Sequence, residues 1–286
     1  MRKMRMSNAK RATRYRGIIC LALMLAAIGG NGLASADTGQ EDNNKLDAEF
    51  LQRFWRDFGA VVASPFHWHG RDFLQLAAFS GAGMVVYAFD QDIKQWAQEK
   101  RTSSSDDASR FVSYLGNAAV LLGLSAVLYG AGEAGGNDGL RKTALLSVES
   151  LATAGFFVTV TKFIVGRARP YTGESSHAFN PLATKSSYWS FPSGHAACAF
   201  AMATTVAEQA DCAAVDIAAY SLAALVGLSR IHDNKHWASD VFFGSAVGYL
   251  CAKKISSLNR PDRKTAWDFG LQISGGRHAL TLSFRF

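Results

Sequence analysis

The sequence predicts an all-α bundle of about six helices, embedded in a membrane, with a small β-hairpin at its C-terminus. Three observations predict it. Apolar blocks of helix length alternate with polar loops, those blocks are dense in Gly, Ala and Ser, and strict period-two alternation is confined to the last stretch of the chain. Spanning helices must be apolar nearly all round, and small residues let them approach closely, which favours the embedded bundle over a soluble one. A mean hydropathy of +0.03 is low for such a chain.

The first 36 residues read as an export leader. Arg2, Lys3, Arg5, Lys10, Arg11, Arg14 and Arg16 precede the apolar stretch Gly17 to Ile28 and the small triplet Ala34-Ser35-Ala36, the order of a secretory signal peptide cleaved after Ala36. Twelve apolar residues at about 1.5 Å each reach roughly 18 Å, short of a hydrocarbon core of about 30 Å. The leader holds seven of the 30 Lys and Arg and none of the 23 Asp and Glu. The rest of the chain therefore carries 23 bases against 23 acids, so the net charge of +7 says nothing about nucleic acid.

Residues 37–72 form an N-terminal segment, in which Phe50, Phe54, Trp55 and Phe58 recur at helical spacing and predict an amphipathic helix. The bundle follows over residues 73–258. Phe73 to Phe89 is uncharged, Phe111 to Gly132 is a 22-residue run without a charge, and Thr143 to Thr161 holds only Glu149. The Phe111 run reaches the length of about 20 residues for a crossing, whereas His195 to Val206, Ile217 to Ser229 and Val241 to Ala252 are shorter and do not reach it alone. Polar loops lie at Lys100 to Asp107, Gly130 to Gly139 and Gly173 to Ser187. In the tail, residues 259–286, two alternating segments flank Gly275-Gly276-Arg277 and predict the hairpin, packed on the bundle. Cys198, Cys212 and Cys251 lie in apolar segments, as buried thiols do, without the spacing of a zinc site.

Three polar clusters interrupt the apolar blocks. The first runs from Lys162 to Arg169-Pro170; seven residues apart on a helix, the two cations share one face, and Pro170 ends the helix. The second is Phe191-Pro192-Ser193-Gly194-His195, where Ser193 is suited to cap a helix, Gly194 admits a ligand close to the backbone, and the free amides of a helix start attract an anion. The third spans Ser229-Arg230 to His236 and Asp240, the last two one helical turn apart, so that the carboxylate can hold one imidazole nitrogen. Charges so close to apolar segments are costly unless used. Three cations, an amide-rich helix start, two imidazoles and a carboxylate suit a phosphate group, whose transfer depends on positioning and charge neutralisation.

Taken in order, the clusters match KxxxxxxRP, PSGH and SRxxxxxHxxxD, and the chain resembles the type 2 phosphatidic acid phosphatase family over roughly Phe73 to Lys254. That superfamily also includes bacterial acid phosphatases and vanadium haloperoxidases. The resemblance implies that Lys162, Arg169 and Arg230 bind phosphate oxygens with the amides of Ser193 and Gly194. It implies that His236 attacks phosphorus, Asp240 orients it, and His195 protonates the leaving oxygen. No metal or cofactor is implied. His232, Lys235 and His177 receive no role. The expected substrate is a phosphorylated lipid, met at a membrane on the periplasmic side. A soluble periplasmic acid phosphatase of broad specificity, a vanadate-dependent haloperoxidase and an outer-membrane structural module are the alternatives.

Overall fold

The computed structural model describes residues 44–210 and 212–260, and the backbone alone of 268–274 and 277–283. The leader lies outside the described residues. The two tail segments pair locally as antiparallel strands, but their place in the fold is outside the description. The hairpin expected over 259–286 is therefore unsupported as part of the architecture.

Nine α-helices are present among the described residues: α1 (Ala48–Ala63), α2 (Gly70–Ala88), α3 (Asp90–Glu99), α4 (Ser103–Tyr114), α5 (Ala118–Gly135), α6 (Asp138–Val165), α7 (Gly194–Ala210), α8 (Ala213–His232) and α9 (Ala238–Leu258). Six of them, α2 and α5 to α9, make the expected bundle, and α7 packs against α6, α8 and α9. The other three are shorter and flank it. Helix α1 is amphipathic as expected, burying Phe50 and Val61 while Leu51 and Trp55 face outward. Helices α2 and α3 meet at a 51° bend.

Local signals place most boundaries. Asp47 accepts the Phe50 amide at 3.0 Å, and Asn137 the Leu140 amide at 3.0 Å, each capping the helix that follows. Asn117 does the same for Ala119 at 2.9 Å, and this cap overturns one expectation. The uncharged run from Phe111 to Gly132 is not one span: it breaks at residues 115–117, leaving α4 short and starting α5 afresh. A charge-free run hides such a break because the capping asparagine carries no charge.

The core is built from Leu146, Leu151 and Ala154 of α6, Ala201 and Met202 of α7, Val215 of α8, and Ala252 and Ile255 of α9. Small residues bring α9 against α7. A side chain at Gly244 would overlap the Ser193 carbonyl, and one at Gly248 would overlap that of Ala197. Other faces remain apolar and outward: Ile217, Leu225 and Leu228 on α8, Leu122 and Val127 on α5. Helices α5, α6 and α8 are long and apolar enough to cross a membrane, and the bent α2–α3 pair makes a fourth candidate. Those outward apolar faces mark a membrane protein.

Helices α2, α6 and α8 end at the pole where α5, α7 and α9 begin, because the connections alternate end to end. All three polar clusters fall at that pole. The start of α2 and the end of α9 lie away from it.

Gly248→Val is expected to lower stability by about 1–3 kcal/mol through overpacking. Gly123→Ala, on open helix surface, is expected to raise it by a few tenths to about 1 kcal/mol. Thermal unfolding in detergent measures both.

Candidate active site

The site is assembled from the ends of three helices and the loop between α6 and α7. Lys162 lies in the last turn of α6, but Arg169 does not continue that helix. Gly166 adopts φ +59°, its N–H bonds the Lys162 carbonyl at 3.0 Å, and a side chain there would overlap the Asn180 carbonyl. The expected shared helical face of Lys162 and Arg169 is thus corrected: the helix ends at Val165, five residues before Pro170, and the loop brings the two cations together instead. Lys162 Nζ donates to the Trp189 carbonyl at 2.6 Å, and Arg169 Nη2 donates to the same oxygen at 3.3 Å.

Ser193 stands before α7, its Oγ accepting the Ala196 amide at 3.5 Å and its carbonyl accepting that of Ala197 at 3.0 Å. This puts Gly194 and His195 in the first turn. Arg230, near the end of α8, donates to Ser113 Oγ and reaches Asp233 at 3.2 Å. Arg230, Arg169 and Lys162 all act electrostatically on His195, and Lys162 and Arg169 also act on His236. The three cations and two imidazoles therefore face one another. Arg169 Nε and Arg230 Nε are buried N–H donors without an acceptor, each a cost the fold retains.

The third cluster departs from its helical expectation. His236 precedes α9, and only Asp240 is on the helix, in its first turn. His236 Nδ1 lies 3.8 Å from Asp240 Oδ2, too long for a hydrogen bond, but 2.7 Å from the Ser190 carbonyl. A carbonyl only accepts, so Nδ1 carries the proton and Nε2 keeps its lone pair. Burial pushes the His236 imidazole down to about 3, against the pull of Asp240, so the ring is neutral at physiological pH.

Asp240 is wholly buried and engaged elsewhere. Its Oδ2 accepts from Ser190 Oγ at 2.5 Å and from the Trp237 amide at 2.9 Å, and its Oδ1 from Arg167 Nη1 at 2.7 Å. Arg167, equally buried, also donates to Asp90 at 2.7 Å, to Ser239 Oγ at 2.8 Å and to the Ser176 carbonyl at 2.9 Å. Sequence reasoning missed Arg167, Asp90 and Ser190. The available signals were a second arginine two residues before Arg169, and an aspartate directly after an uncharged block.

The residues left without a role have structural ones. His232 Nε2 meets Asp106 Oδ1 at 3.0 Å and ties α4 to α8. Lys235 lies over the Tyr171 ring at 4.8 Å. His177 is exposed and bonds Tyr87 Oη at 2.6 Å. Among the described residues, no cluster of His, Cys, Asp and Glu is arranged to hold a metal.

A family model described as the PAP2 superfamily matches residues 143–263, which contain all eight candidate residues. A lipid A 1-phosphatase of Porphyromonas gingivalis is 34% identical over 147 residues, covering 50% of this chain and 30% of that protein. A lipid A 1-phosphatase of Rhizobium johnstonii is 27% identical over 218 residues, covering 69% of this chain and 83% of that one. The chain thus spans less than a third of the first relative and most of the second. A Bacillus subtilis structure described as a transmembrane PAP2 type phosphatidylglycerolphosphate phosphatase superposes with a TM-score of 0.50 at 24% identity, covering 64% of this chain and 94% of that one. It shares the fold.

Vanadate and inorganic phosphate are expected to bind and to accept from the unpaired Arg169 and Arg230 donors. Arg169→Lys or Arg230→Lys, which removes that donor, should weaken binding by about 1.5–3 kcal/mol, one to two decades in Kd. Calorimetric titration of the detergent-solubilised protein measures it.

Proposed function

We propose that this chain, a PAP2 superfamily member by its residues 143–263, is a membrane phosphatase that hydrolyses phosphate monoesters or diphosphates of lipids through a phosphohistidine. The observation that carries the reading is the pair of buried, unpaired guanidinium donors on Arg169 and Arg230 beside a neutral imidazole. Such donors await an acceptor with several oxygens.

In the proposed reaction the phosphate oxygens lie among Lys162, Arg169, Arg230 and the amides at the start of α7. The Nε2 lone pair of His236 attacks phosphorus, and the bond to the lipid oxygen breaks. Burial and the three cations hold His195 down to about 4 in the free site. The entering phosphate offsets the cations, so His195 takes up a proton with it and gives that proton to the lipid oxygen. It then takes one from the water that cleaves the N–P bond and releases inorganic phosphate. The Ser190 carbonyl keeps the Nδ1 proton in place, so Nε2 remains the nucleophile throughout. Asp240 acts at one remove, by holding Ser190 and the start of α9.

The outward apolar faces of α5 and α8 favour a lipid substrate over a soluble ester, since the cradle then opens where lipid headgroups lie. Lipid A, phosphatidylglycerophosphate, phosphatidate and isoprenyl diphosphate share the required chemistry. The proposed orientation has the site facing the periplasm. It requires the opposite pole, towards which α2 starts, to be cytoplasmic.

Purified protein is expected to release phosphate from at least one of these lipids in detergent, and His236→Ala to lose at least about a thousand-fold in kcat. Radiolabelled phosphate should be trapped on wild-type protein in an acid-labile, base-stable bond, and be absent from His236→Ala. Preference for small soluble esters over every lipid would instead favour an acid phosphatase of broad specificity. For orientation, a membrane-impermeant maleimide should label Lys185→Cys but not Asn137→Cys in intact cells; the reverse pattern would place the site inside.

A further inference from the structure

We infer that Arg167 is a positioning residue of the reaction, holding Asp240 ionised and aligned through a buried chain, Asp90–Arg167–Asp240–Ser190, that ends at His236. The inference rests on the phosphohistidine reading and adds to it a set of residues that do not touch substrate.

The geometry is closed at every link. Arg167 donates to Asp90 and Asp240 at 2.7 Å each, and all three side chains are within 1% of complete burial. Asp90 also accepts the Ser239 amide at 2.9 Å and its hydroxyl at 2.5 Å, which pins the start of α9 from a second direction. Asp240 then fixes Ser190 by its hydroxyl, and the Ser190 carbonyl fixes His236. The guanidinium is enclosed by the rings of Tyr87, Trp237 and Phe179, with its carbon 4.8, 5.5 and 5.9 Å from their centroids. Water is thereby kept from the pairs, and the rings favour the cation.

Two carboxylates so close to one guanidinium leave the group with a charge of −1. That charge is next to an imidazole which becomes positive as it bonds to phosphorus. Other ionisable groups face the same pair: Lys162 from α6, Arg169 from the loop, and Lys94 of α3 over the Trp237 ring. These are all cations, so Asp240 and Asp90 supply the negative charge there. Arg167 balances two carboxylates with one cation and leaves the excess negative charge beside the nucleophile.

The test is a double-variant cycle on purified protein, with folding checked by thermal unfolding and gel filtration. Arg167→Gln leaves two facing carboxylates without a cation, so one takes up a proton. It is expected to lower kcat by roughly ten- to a hundred-fold, with the affinity for inorganic phosphate little changed. The acid limb of its kcat profile should rise by about one pH unit. Adding Asp90→Asn removes the repulsion, and the double variant is expected to recover at least about three-fold in kcat and return the limb toward wild type. Losses that merely add, or an unmoved acid limb, would overturn the inference. If Arg167→Gln does not fold, the isosteric Asp90→Asn alone carries the test: a kcat reduced at least about three-fold at unchanged phosphate affinity supports the inference, and an unchanged kcat overturns it. Failure of the underlying reading looks different, because wild type itself would then trap no phosphohistidine.

Discussion

Asp240 is a carboxylate with no exposure to water, set at the junction of a helix start, a loop and a bundle of apolar segments. Burying it unpaired would cost several kcal/mol. The fold avoids this by delivering to it a guanidinium, a hydroxyl and a backbone amide at once. Each donor comes from a different place in the chain, so satisfying one carboxylate fixes the loop after α6, the segment before α7 and the start of α9 together. The positions of His236 and Ser193 follow, since Ser193 N–H bonds the Asp240 carbonyl at 2.9 Å. A polar requirement in an apolar setting thereby acts as the register mark for the site.

The cations are arranged by the opposite logic. Lys162, Arg169 and Arg230 sit close together and only partly compensated, with backbone carbonyls and Asp233 as their partners. Mutual repulsion among them is a standing cost. It is tolerated because each is anchored by a separate element: the end of α6, the loop beyond Gly166 and the end of α8. Rigid anchoring also means that little reorganises when a negatively charged group enters.

Much of this was legible in the sequence. Apolar blocks revealed six bundle helices, and the three signatures named eight residues that the fold brings to one pole. What was not legible is instructive. The break at residues 115–117 was invisible in a run defined by the absence of charge, because Gly116 and Asn117 are uncharged. The helical link from Lys162 to Arg169 failed because spacing alone cannot tell a helix from a loop that begins with a left-handed glycine. The expected bond from Asp240 to His236 came from their four-residue separation, but His236 lies before the helix and meets a carbonyl. Arg167 and Asp90 are 77 residues apart in sequence, so no local pattern joins them; only folding does.

The two ends of the bundle, Gly70 and Leu258, both leave from the pole away from the site. Every segment that touches the cations or imidazoles is instead an internal connection, tied at both sides to bundle helices. Architecture and chemistry are therefore separable. Chain appended before α2 or after α9 leaves from the pole away from the cations and imidazoles, while a change of length between α6 and α7 alters their cradle directly. Such a domain tolerates fusion at either end more readily than insertion in the loop that carries Arg169.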